Sequence, residues 1–100
     1  MQSTEVQKII QDNKETFTAQ YGIEKLFLYG SYATSSQNEH SDLDLMYVMQ
    51  KNIGMSLGRL IKIETMLQTL TGIKKIELVN KKYINPVVYL NAQKNAIELF

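Results

Sequence analysis

Two carboxylates stand two residues apart in Ser41-Asp42-Leu43-Asp44-Leu45. The stretch from Asp42 to Met49 is rich in strand formers and alternates weakly, which predicts a strand. Side chains of a strand repeat every two residues, so Asp42 and Asp44 leave the same face. Aspartate is disfavoured in strands, and like charges on one face repel. A cation would relieve that repulsion. Oxygen-only donors select hard ions, so magnesium fits better than zinc, with manganese as the alternative. A solvated pair of acids on an open sheet face satisfies the same residues, and a bare Asp-x-Asp does not choose between the two.

A second short segment adds to it. Lys25-Leu26-Phe27-Leu28-Tyr29 is an apolar run closed by Gly30-Ser31. A glycine at a strand end lets the backbone approach a ligand closely, and serine brings a hydroxyl and an N–H. A short helix opening at Ser31-Tyr32-Ala33 would present free N–H groups to an anion. An ordinary turn capped by Ser31 is the plainer reading of these residues. Taken together, the two segments place a phosphate cradle and two metal-binding carboxylates on neighbouring strand ends. Phosphoryl transfer needs those parts.

The rest of the chain must position them. A capping box, Thr4-Glu5-Val6-Gln7, and helical spacing of Val6, Ile9, Ile10, Asn13 and Phe17 predict a first helix to about Gln20, stopped by Gly22. Lys25–Tyr29 is the first strand, Thr34–Ser41 a polar loop and Asp42–Met49 the second strand. Leu57, Leu60, Ile61, Met66, Leu67 and Leu70 predict a second helix from Ser56 to near Gly72, its Met and Leu residues facing the core. Lys75–Val79 is a third strand. Asn85-Pro86 opens a helix over Val87 to about Asn95, with Asn as cap and Pro in the first turn. Ile97–Phe100 is a short last strand. The order α-β-β-α-β-α-β predicts an α/β fold of the α+β type, one mixed sheet with helices packed against it.

Gly30-Ser31-Tyr32-Ala33 followed by Ser41-Asp42-Leu43-Asp44-Leu45 resembles the signature of the polymerase-beta-like nucleotidyltransferases. The short length is similar to that of the minimal nucleotidyltransferases, the antitoxin type paired with HEPN toxins. The resemblance implies that Gly30 and Ser31 hold the nucleotide phosphates. It implies that Asp42 and Asp44 bind the metal, and that a third carboxylate one strand away completes the catalytic and metal site. Glu77 stands at that position, between Ile76 and Leu78, where the family usually has aspartate. It can equally be an outward-facing surface residue of an alternating strand. The family usually continues Gly-Ser-x-Ala with Arg-Gly, where this chain has Thr34-Ser35. The implied reaction is transfer of AMP from ATP to a hydroxyl, the acceptor being a tyrosine of a HEPN partner. Two alternatives stay open: a catalytically silent module that neutralises a partner by contact, and transfer to a small molecule or nucleic acid.

Composition bounds these readings. The 100 residues fit one domain over positions 1–100, and 44% hydrophobic content suffices for a packed core. A net charge of +1 argues against a long nucleic-acid partner. The chain has no cysteine, hence no disulfide or thiolate site. It shows neither a signal peptide nor a membrane-spanning run, so a cytoplasmic protein is expected, compatible with homo- or hetero-oligomers. His40 reads as a solvated loop residue within reach of a phosphate. Lys74-Lys75 and Lys81-Lys82 read as a solvated basic rim that could attract nucleotide or an acidic partner.

Overall fold

The computed structural model describes the backbone of residues 1–100 and the side chains of all but Val88, Asn91, Ala92 and Gln93. Its chain runs α1 (Ser3–Asp12), a π-helical turn (Thr16–Gln20), β1 (Ile23–Tyr29), a 3-10 turn (Gly30–Tyr32) and β2 (Leu43–Met49). It continues through α2 (Leu57–Thr71), β3 (Ile76–Asn80), a 3-10 turn (Lys81–Tyr83), α3 (Pro86–Gln93) and β4 (Ile97–Glu98). This is the expected order. The four strands form one mixed sheet in the order β3-β2-β1-β4. β1 pairs antiparallel with both β2 and β4, while β2 and β3 run parallel. A parallel pair needs a crossover, and α2 supplies it.

The register sorts the sheet into two faces. Leu26, Leu28, Leu43, Leu45 and Tyr47 are buried on one of them, in a cluster with Val6 and Ile10 of α1, Phe17, and Ile63 and Leu67 of α2. Complete burial of a Leu or Ile side chain contributes about 1.5–3 kcal/mol each. Alternate residues project to the other face: Phe27 and Tyr29 of β1, Asp44 and Met46 of β2, Glu77 and Val79 of β3. No helix among the described residues is long and apolar enough to cross a membrane.

Several boundaries differ from expectation for identifiable reasons. The first helix starts at Ser3, with the Gln2 N–H donating to Glu5 Oε1 at 3.4 Å, so Gln2 rather than Thr4 caps it. It also ends early. Asn13 Nδ2 donates to the Ile9 carbonyl at 2.7 Å, closing α1, and the wider turn at Thr16–Gln20 carries Phe17 into the core. β2 opens at Leu43, which leaves Asp42 just ahead of the strand. Not all apolar residues of α2 face the core as expected. Ile63, Leu67 and Thr71 form its buried row, whereas Leu57, Ile61 and Leu70 are exposed. Asn85 caps α3 as expected, its Oδ1 accepting from the Val87 N–H at 2.8 Å. β4 is only two residues long. The Leu99 N–H still donates to the Leu26 carbonyl at 2.8 Å, which extends the pairing toward the C-terminus.

Candidate active site

Tyr29, Asp44 and Glu77 form one row across β1, β2 and β3, because Tyr29 pairs with Asp44 and Asp44 with Glu77. Asp42 joins them from the residue just before β2, where the Leu43 N–H is anchored on the Lys75 carbonyl at 2.9 Å. Ligand oxygens of Asp42, Asp44 and Glu77 all lie within 4.8 Å of one another. The glutamate therefore reaches the aspartate pair despite its extra methylene. Lys75 Nζ lies 3.4 Å from Asp42 Oδ2 and offsets part of the charge.

The row is electrostatically strained. Burial pushes the Asp44 carboxyl up to about 7. A hydrogen bond with Glu77 and the charges of Glu77 and Asp42 push the same way, and Lys75 opposes them. Tyr29 is pushed up to about 12 by burial first and then by the charges of Asp44 and Glu77. Both shifts have the sign that burial and neighbouring like charges give an acid. Three carboxylates converging at this spacing suit a hard divalent ion, and the donor set fits magnesium or manganese.

Gly30 has a role that its place in the motif did not disclose. Its φ is +73°, and a Cβ there would overlap Asp44 Oδ2. The glycine makes room for the carboxylate itself. Ser31 sits in the turn that follows. Its carbonyl accepts from the Ser36 N–H at 2.9 Å, and the Gly30 carbonyl accepts from the Ala33 and Thr34 N–H groups. Ser3 Oγ ties the end of this turn to α1 by donating to the Tyr32 carbonyl. Ser35, at the position of the usual family glycine, takes a left-handed φ of +57°. The turn thus keeps a glycine-like conformation without the glycine. Thr34 brings no charge, and its hydroxyl is engaged with Ser36 Oγ at 2.8 Å.

The other sequence candidates divide. His40 is largely exposed beside Glu39. Together with Ser41, Lys74 and Lys75 it lines a 440 Å³ cleft flanking Asp42. Lys75 is a solvated rim residue, as expected, that also pairs with Asp42. Lys81 is also more than a rim charge, since its Nζ stands 4.7 Å from the centroid of the Phe27 ring. Tyr29 was missed altogether, although its register parity with Asp44 follows once the two strands are paired. A cleft of 750 Å³ is lined by Tyr47, Met49, Ile53, Leu57, Leu60 and Tyr83 and includes none of the three carboxylates. The carboxylate cluster, rather than that cleft, is the candidate site.

Residues 7–100 match the family described as Polymerase beta, Nucleotidyltransferase, and the chain belongs to that family. A candidate protein adenylyltransferase of Methanocaldococcus jannaschii is 30% identical over 95 residues, covering 94% of each chain. Among solved structures, a minimal nucleotidyltransferase superposes with a TM-score of 0.76 at 22% identity, covering 97% of this chain and 95% of that one. The Shewanella oneidensis complex of a tri-AMPylated HEPN toxin with its MNT antitoxin superposes with a TM-score of 0.64 at 12% identity, covering 94% of this chain and 71% of that one. At those identities the structures speak for the fold, which is that of the minimal nucleotidyltransferases.

Proposed function

We propose that this chain transfers AMP from ATP to a hydroxyl group, that the acceptor is a tyrosine of a HEPN-domain protein, and that the modification serves an antitoxin role in the cytoplasm. The observation that carries the reading is the convergence of Asp42, Asp44 and Glu77 within 4.8 Å beside Gly30-Ser31. The adenylyltransferase name of the archaeal relative and the AMPylated toxin in the Shewanella complex support the choice of AMP and of the partner.

In this reading Asp42, Asp44 and Glu77 hold the metal, and Gly30 and Ser31 hold the outer phosphates. Magnesium bound there supplies positive charge against the triphosphate, with manganese able to replace it. The acceptor oxygen forms a bond to the α-phosphorus. The bond from that phosphorus to the α,β-bridging oxygen breaks, and pyrophosphate leaves with the electron pair. Glu77, the most exposed of the three acids, takes the acceptor proton. Incubation with α-labelled ATP, magnesium and a HEPN protein encoded beside this gene should label the HEPN protein, and Asp42→Asn should abolish the labelling. Absence of transfer by the wild-type chain would sink the proposal.

A second reading rests on Thr34-Ser35, which leaves this turn without the arginine of the family pattern. The chain would then neutralise its partner by contact alone. Calorimetry separates the two: magnesium–ATP binding that Asp44→Ala abolishes would count against a contact-only module.

A further inference from the structure

The same face of the sheet carries a second feature one side-chain row from the carboxylates. Phe27 pairs with Met46, and Met46 with Val79, two residues back along β1 from the Tyr29–Asp44–Glu77 row. That is a displacement of about 6.6 Å along the strands. Met46 is almost completely buried but lies outside the main core cluster. Phe27, Met46, Lys81, Tyr89 and Glu98 line a 260 Å³ pocket. Lys81 Nζ stands 4.7 Å from the Phe27 ring centroid and 5.7 Å from that of Tyr89. Glu98 is held by Lys25, at 3.1 Å. The Lys81 ammonium lies over both aromatic rings, and with the Met46 thioether it gives the pocket a lining that suits a flat, electron-rich ring.

The direction of β1 decides which ring belongs there. The strand passes Phe27, then Tyr29 in the carboxylate row, then Gly30-Ser31. The pocket and the turn therefore lie on opposite sides of the carboxylates. In-line displacement brings the attacking oxygen in opposite the leaving group. Along the strand axis, pyrophosphate departing toward Gly30-Ser31 leaves the Phe27 side to the acceptor. We propose that the Phe27–Met46–Lys81–Tyr89 pocket seats the ring of a phenolic acceptor and directs its hydroxyl at the carboxylate row. Phe27, Lys81 and Tyr89 are then positioning residues that select an aromatic hydroxyl over a serine or threonine. This inference rests on the nucleotidyl-transfer reading above. The bonds exchanged are the same: the phenol oxygen joins the α-phosphorus, pyrophosphate leaves, and the phenol proton passes to Glu77.

Two measurements on the full chain test the pocket separately from the reaction. In the first, N-acetyl-tyrosinamide is titrated into protein carrying labelled aromatic rings, and the Phe27 and Tyr89 resonances are followed. Saturable shifts of both rings are expected, with none from N-acetyl-serinamide. Shifts without any transfer would keep the pocket and sink the catalytic reading. No shift up to the solubility of the amide would overturn the pocket even if the chain proved active on another acceptor. In the second, α-labelled ATP and magnesium are supplied with the tyrosinamide. Phe27→Ala should raise the acceptor KM about tenfold and leave the calorimetric affinity for magnesium–ATP within about twofold. Phe27→Leu, which keeps the apolar volume, and Tyr89→Ala guard against a folding defect and should move the acceptor KM in the same direction. An unchanged acceptor KM in folded variants would refute the assignment. So would loss of magnesium–ATP affinity alone, which would mean that the pocket holds the nucleobase.

Discussion

Asp44 concentrates the conflict between stability and function at a single carboxylate. It lies half-buried between Tyr29 and Glu77, with Asp42 nearby and Lys75 acting on it with the opposite sign. Its pKa rises in the fold from 3.8 to about 7. Between those values the folded chain retains a proton that the unfolded chain has released, so this group makes stability fall as pH rises from about 4 to 7. Asp44→Asn removes that slope. The metal-free variant should melt at a higher temperature than wild type at pH 7 and close to it at pH 4, and it should lose magnesium binding. Thermal melts over pH 4–8 with chelator present test the sign, and a wild-type melting temperature that climbs through that window would contradict it. Gly30 guards the same carboxylate. Gly30→Ala faces both the left-handed φ and the overlap with Asp44 Oδ2. The backbone alone should cost about 1–2 kcal/mol, read by denaturant unfolding, and magnesium affinity should fall as Asp44 is displaced. At this scale Asp42 and Asp44 were legible because period-two spacing is a property of any strand. The reason for Gly30 was not, since nothing in Gly-Ser-Tyr-Ala says which side chain from another strand will rest on it.

Among the elements, the Gly30–Ser36 turn shows how a departure from a motif is absorbed. Ser35 holds φ +57° where the family pattern has glycine. Ser35→Gly should relieve about 1–2 kcal/mol of left-handed strain but return roughly 0.4–1 kcal/mol through the freer unfolded chain. The net gain is expected to stay below about 1.5 kcal/mol, seen as a rise of a few degrees in Tm with metal affinity unchanged. A lower Tm would mean that the Ser35 side chain makes contacts outweighing its backbone cost. The strands were legible as apolar runs bounded by glycine and polar loops, and α3 by its Asn85-Pro86 start. The break at Asn13 was not, because Val6, Ile10 and Phe17 keep helical spacing while the Asn13 side chain takes the Ile9 carbonyl. The exposed Leu57 and Ile61 were misjudged for a related reason. Periodicity detects a helix, but it does not say how wide a stripe the sheet will cover.

For the whole molecule, the mixed sheet turns local acidity into a ligand-dependent fold. The parallel β2–β3 pair and the antiparallel β1–β2 pair place acids from two strands, and the glycine that ends a third, at one end of the sheet. The pairing that closes the core also forces Asp44 against Glu77, a repulsion that a cation bound there would relieve. Composition and element order were enough to predict the layered architecture. The pairing register that brings Glu77 to the aspartates is a long-range property, and no window of sequence contains it. A ligand that binds only the folded chain stabilises it in proportion to the logarithm of its excess over Kd, about 2.7 kcal/mol at a hundredfold excess. Magnesium should therefore raise the melting temperature of the wild-type chain, and chelator should reverse the rise. The shift should shrink as pH drops below about 7, because protons compete for Asp44. Lys75→Ala should enlarge it, since the lysine occupies part of the charge that the ion would otherwise neutralise. Melts with and without magnesium at pH 5.5 and 7.5, run on wild type, Lys75→Ala and Asp44→Asn, separate these effects. An equal magnesium shift in wild type and Asp44→Asn would place the ion elsewhere on the chain and remove the basis for reading this row as its site.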